Sequence, residues 1–190
     1  MNPVAFFFDF RSPYSYLAQS QLTDLPASFD YRPMDVLALM KEVGNVPTSV
    51  ICPPKQRYAR TDLGRWAARY GLAFAPNPGM AQIDGLRLLR AALAGVALGQ
   101  GDEASALIFS AMWAGDAPLN TAEDLALLLA PLGVTAAMIE DPARTTELAA
   151  NTAEAAQRGV FGAPTFIAGD EMFFGNDRLD FLRQNLEAAI

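Results

Sequence analysis

The chain has 190 residues, 52% hydrophobic and 18% charged, enough to bury a sizeable core in one compact unit or in a core domain carrying an insertion. Its net charge of −7 argues against nucleic-acid binding, which depends on Lys and Arg neutralising phosphates. It has no histidine and a single cysteine, Cys52, which excludes histidine-based triads, histidine- or thiolate-caged metals and any internal disulfide. Proton chemistry is left to Ser, Tyr, Lys, carboxylates, water or groups on a ligand. The cysteine usage fits a reducing cytoplasm. Met1 to Phe10 lacks the leader of a signal peptide, and no run of about 18 apolar residues predicts a membrane span.

Val4 to Phe10 is a short, aromatic-rich apolar run, predicted as a strand buried on both faces and interrupted by Asp9 near its end. Ser12 then precedes Pro13, and Tyr14 to Leu25 has helical spacing at Leu17, Leu22 and Leu25. Ser12 thus reads as a helix cap with Pro13 at the first helical position. Ser28 to Pro33 reads as a second strand. From about Asp35 to Arg144 alanine and leucine dominate, and helical patterns recur between glycines and prolines. They cover Lys55 to Tyr70 (ending at Gly71), Gln82 to Ala97, Ala104 to Ala114, Thr121 to Leu132 after an Asn120 cap, and Thr135 to Ile139. Within them Leu86 to Gly99 is the richest apolar window and reads as a buried helix. This block is longer than any ordinary connection. Glu147 to Arg158 forms a further helix, stopped by Gly159. Thr165 to Ala168 and Met172 to Phe174 are short strands around the Gly169-Asp170 turn, and Asn176 or Asp177 caps a last helix from Arg178 to Ala189. The order β-α-β, helical segment, α-β-β-α predicts an α/β, thioredoxin-like fold with a large all-helical insertion. Residues 1–36 and 145–190 would form the thioredoxin-like domain and 37–144 the insertion.

In such a fold the turn after the first strand holds a reactive Cys-x-x-Cys, where the helix N-terminus favours a thiolate. Here it reads Ser12-Pro13-Tyr14-Ser15. The backbone site remains, but the protein supplies no sulfur. Ser12 is either a plain cap or a hydroxyl that donates to the thiolate of a ligand. Gly162-Ala163-Pro164-Thr165 suits a cis-proline turn facing that helix start, where the backbone before Pro164 can pair with a peptide as an added strand would. Asn176-Asp177-Arg178 is either a capping cluster or a clamp for a zwitterionic amino-acid end. Lys55 reads as solvated surface unless the fold brings it over the Ser12 turn. Cys52 reads as a small buried or loop residue.

The segments from Phe6 to Ala18, Gly44-Asn45-Val46, Asp62 to Ala67, Val160 to Phe166 and Gly169 to Leu179 resemble, in order and over nearly the whole chain, the 2-hydroxychromene-2-carboxylate isomerase family. That family is grouped with the kappa-class glutathione transferases in the DsbA-like branch of thioredoxin folds. The resemblance implies a glutathione-dependent, cytoplasmic homodimer acting on a small aromatic substrate, with no metal. It implies that Ser12 hydrogen-bonds the glutathione sulfur and that Lys55 contacts the glycyl end or the substrate. Ala163, before Pro164, would pair with the cysteinyl backbone, and Asn176 and Asp177 would hold the γ-glutamyl group. The implied reaction is reversible addition of the thiolate to a chromene-derived enone, bond rotation and expulsion, giving trans-o-hydroxybenzylidenepyruvate. The loop Pro47 to Pro54 departs from the family pattern and bears on the second substrate. The alternatives are a kappa-like transferase or peroxidase, a disulfide exchanger, which the absent Cys-x-x-Cys opposes, and a non-catalytic binding module.

Overall fold

The computed structural model describes residues 3–47 and 51–188. Thr48, Ser49 and Val50 of the departing loop lie outside them, as does Ala189 at the expected end of the last helix. Strand β1 (Val4–Phe8) is buried along its whole length. It pairs in parallel with β2 (Phe29–Pro33) and antiparallel with β3 (Thr165–Ala168), and β4 (Glu171–Phe174) adds antiparallel to β3. The order is β2-β1-β3-β4.

Alternation along β1 sorts its side chains between two cores. Val4, Phe6 and Phe8 join Phe10, Phe109 and Phe166 on one face, where the Phe6 and Phe166 rings stack with centroids 4.8 Å apart. Ala5 and Phe7 join Met34, Val36, Leu39, Val160 and Ile167 on the other. A strand covered on both faces needs apolar residues at every position, which is why this segment carries no polar alternation.

Helix α1 (Pro13–Gln19) is shorter than its hydrophobic spacing predicts. The Ser20 hydroxyl donates to the Leu17 carbonyl at 2.8 Å, and the chain passes into a 3-10 turn at Leu22–Asp24 that still buries Leu22, with Leu25 buried just beyond it. Then follow α2 (Val36–Glu42), α3 (Pro53–Tyr70), α4 (Gly85–Ala97), α5 (Gly101–Trp113), α6 (Ala122–Leu128), α7 (Ala136–Ile139), α8 (Pro142–Gln157) and α9 (Leu179–Ala188). Helix α3 stops at Gly71, whose φ of 66° closes the cap.

Caps move several expected boundaries. Asp84 starts α4, leaving Met80–Gln82 as a separate 3-10 turn. Thr121 rather than Asn120 caps α6: its hydroxyl accepts from the Asp124 amide, while the Asp124 carboxylate accepts from the Thr121 amide. Helix α8 begins at Pro142, ahead of Glu147, because Asp141 caps it through the Ala143 amide at 2.9 Å. Asn176 and Asp177 lie inside a 3-10 turn (Asn176–Arg178) that precedes α9, rather than capping it directly. Among the described residues no helix is long and apolar enough to cross a membrane.

Candidate active site

The turn from β1 into α1 is held by a buried carboxylate. Asp9 has no exposed surface and accepts from the Arg11 amide and Nε, each at 2.9 Å, and from the Val36 amide at 3.0 Å. The Arg11 guanidinium also reaches Asp35, the cap of α2, at 2.6 Å. Burial alone would lower the Arg11 pKa, but the hydrogen bonds and charges of Asp9 and Asp35 outweigh it and hold Arg11 more firmly protonated than usual. Gly85 makes room for this: a Cβ there would come within 2.8 Å of Arg11 Cδ. The two-carboxylate clamp therefore joins β1, α2 and α4 directly behind Ser12.

Ser12 caps α1, accepting from the Ser15 amide at 3.3 Å, and its hydroxyl donates to the Ala163 carbonyl at 3.0 Å. The Ala163–Pro164 bond is cis. The segment before β3 has four successive carbonyls engaged: Phe161 by Asn45 Nδ2, Gly162 by the Thr165 hydroxyl, Ala163 by Ser12 and Pro164 by the Gly175 amide. Among the described residues the Ala163 amide donates to nothing, nor does the Tyr14 amide in the first turn of α1. Ser15, at the place of the second cysteine, is fully buried, and its hydroxyl has no partner among the described residues.

Ser12, Tyr14, Asn45 and the segment from Phe161 to Pro164 border a cavity of about 1060 Å³. Ser12, Ala163, Pro164, Asn176 and Asp177 all line it, so the structure brings together five of the six residues singled out from the sequence. The sixth, Lys55, is exposed on the first turn of α3, one residue before Gln56, which does line it. Asn176 is 3% exposed and its Nδ2 is buried without a partner among the described residues. Asp177 is exposed and pairs with Arg178. Cys52 is the half-buried residue preceding α3 and makes no capping bond with its side chain.

Several lining residues, Tyr14, Asp62, Trp66 and Val46 among them, fall within the family-like segments without an expected role. Tyr14 Oη donates to Asp62 of α3 at 3.0 Å. Burial first, and this carboxylate second, push the Tyr14 phenol well above its ordinary pKa, so it stays a donor. Trp66 and Arg60 enter from α3, and Val36, Leu37, Met40 and Val46 give an apolar stretch of wall. The signal that could have found Arg11's contacts is Asp9, since a carboxylate inside an apolar strand needs a buried partner.

The family model for the DSBA-like thioredoxin domain matches residues 3–187. A 2-hydroxychromene-2-carboxylate isomerase from Sphingobium xenophagum is 35% identical over 195 residues, covering 96% of this chain and 97% of that protein. Another, from Pseudomonas sp. (strain C18), is 34% identical over 98% of this chain and 91% of its own length. The solved structure of a selenomethionine-labelled 2-hydroxychromene-2-carboxylate isomerase superposes with a TM-score of 0.86 at 31% identity, over 99% of this chain and 96% of that one.

Proposed function

The chain belongs to the DSBA-like thioredoxin-domain family and, within it, to the 2-hydroxychromene-2-carboxylate isomerases, and from this premise we propose that it isomerises a 2-hydroxychromene-2-carboxylate, or a related intermediate of aromatic breakdown, with glutathione as cofactor. One observation carries the reading: Ser12, Ala163 and Asn176 border one cavity, and the Ala163 amide and Asn176 Nδ2 have no partner among the described residues. A tripeptide needs an anion-stabilising donor for its sulfur, a backbone edge for its middle residue and polar groups for its amino-acid head, and these residues fit it. When bound, glutathione supplies a thiolate that adds reversibly to the conjugated double bond of the ring-opened substrate and so leaves it free to rotate.

The chain's own residues bind and aim. In this structure the Ser12 hydroxyl donates to the Ala163 carbonyl. A guest amide donating to that carbonyl takes over its role, and rotation of Ser12 about Cα–Cβ then presents the hydroxyl to the sulfur, beside the Tyr14 amide. Asn176 Nδ2 and Asp177 take the carboxylate and ammonium of the γ-glutamyl head, and Lys55 takes the glycyl carboxylate. The apolar wall of Val36, Leu37, Met40 and Val46 holds the aromatic ring. The homodimer and the cytoplasmic setting are part of the same proposal, and light scattering of the purified chain tests the dimer.

The test is the substrate's absorbance change with and without glutathione. The reading expects turnover that requires glutathione and leaves its concentration unchanged. Turnover without it would contradict the reading, and its consumption into a stable conjugate would point to a kappa-like transferase instead.

A further inference from the structure

Four charged side chains line the cavity among the described residues: Arg11, Arg60, Asp62 and Asp177. Three are engaged, Arg11 by Asp9 and Asp35, Asp62 by Tyr14 and Asp177 by Arg178. Arg60 forms no hydrogen bond or ion pair among the described residues. It lies on the stripe Gln56, Ala59, Arg60, Leu63 that α3 turns toward the cavity, the i, i+3, i+4, i+7 spacing of one helical face. Two residues on, Asp62 is hydrogen-bonded to Tyr14, which pins this turn of α3 against the turn bearing Ser12. Arg60 therefore faces the cavity one turn along α3 from Gln56.

A guest bearing a carboxylate meets a chain of net charge −7 and two acidic side chains in the cavity wall, so it needs a local cation. A guanidinium offers a carboxylate two parallel donors. We propose that Arg60 is a specificity-determining residue that takes the carboxylate of an aryl-substituted unsaturated acid whose ring lies along Leu37, Met40 and Val46. This deepens, and rests on, the reading of the cavity as the isomerase site.

The test compares equilibrium binding of cinnamate with that of cinnamide, its uncharged isostere, followed by tryptophan fluorescence on the full chain, wild type, Arg60→Gln and Arg60→Lys. Trp66 in the cavity wall is the reporter. Wild type should prefer cinnamate by roughly 10- to 100-fold, the scale of a charge-assisted hydrogen bond. Arg60→Gln should bring the ratio close to one, Arg60→Lys should restore part of it, and calorimetry should give unchanged glutathione affinity in all three proteins. A wild type without the preference, or a preference that survives in Arg60→Gln, overturns the proposal. So does a loss of glutathione affinity in Arg60→Gln, which would assign the cation to the glycyl carboxylate. Neither probe is turned over, so these outcomes are read separately from the chromene assay on which the isomerase reading stands.

Discussion

Asp9, buried three residues before Ser12, fixes the local backbone of the turn. Its oxygens are saturated by Arg11 and two amides, and removing it leaves the guanidinium facing Asp35 alone. Asp9→Ala is expected to destabilise the fold by about 2–4 kcal/mol, somewhat less than the roughly 3–5 kcal/mol for breaking a fully buried pair because Arg11 is 28% exposed, as a lower urea midpoint with unchanged slope. An unchanged midpoint would show that the clamp is not structural. Ser12→Ala is expected to lose about 1 kcal/mol of stability as a missing cap and to cut kcat about 100-fold, the scale of one lost donor to a developing or resting anion. Glutathione affinity should change far less. Equal losses in kcat and affinity would assign Ser12 to binding alone.

At the scale of elements, the close approach of α4 to α5 decides how tightly the inserted helices seat on the sheet. A Cβ on Gly95 would lie 2.4 Å from the Ala104 Cβ, so the helices meet almost backbone to backbone. Gly95→Ala is expected to destabilise by about 1–2 kcal/mol, overpacking outweighing the gain in helix propensity. A rise in Tm would contradict this. Element types were legible because Pro13, Gly71, Gly159 and the Gly169-Asp170 turn punctuate strong apolar runs. The boundaries that moved did so through side-chain caps, as with Ser20 ending α1 and Asp141 starting α8. Periodicity does not register these. The pairing of Tyr14 with Asp62, 48 positions apart, and the entry of Arg60 into the cavity depend on how α3 lies against α1, which no local pattern encodes. Ser12, Pro164 and Asn176 were legible because each sits beside a turn whose geometry the fold class prescribes.

For the whole molecule, pH acts through the tyrosines. Tyr14, Tyr16, Tyr31 and Tyr70 all have raised pKa values, with burial the leading cause in each. The native state thus favours the neutral phenol, and the associated stability is fully present below the unfolded-state value of about 10 and is lost as pH rises above it. The ultraviolet tyrosinate band should therefore grow together with the loss of helical circular dichroism in an alkaline titration. A band from these four that matures near pH 10 while the helices persist would contradict the packing described.

Under the proposed reaction the polypeptide lends no sulfur and instead keeps a ligand's thiol ionised at Ser12. The most direct measurement of this is the far-ultraviolet thiolate absorbance of glutathione bound to wild type and to Ser12→Ala across pH. In wild type the bound thiol should ionise well below the ordinary thiol value of about 8.5, and in Ser12→Ala it should return toward that value. Identical titrations in the two proteins, or no bound glutathione in wild type, would contradict it.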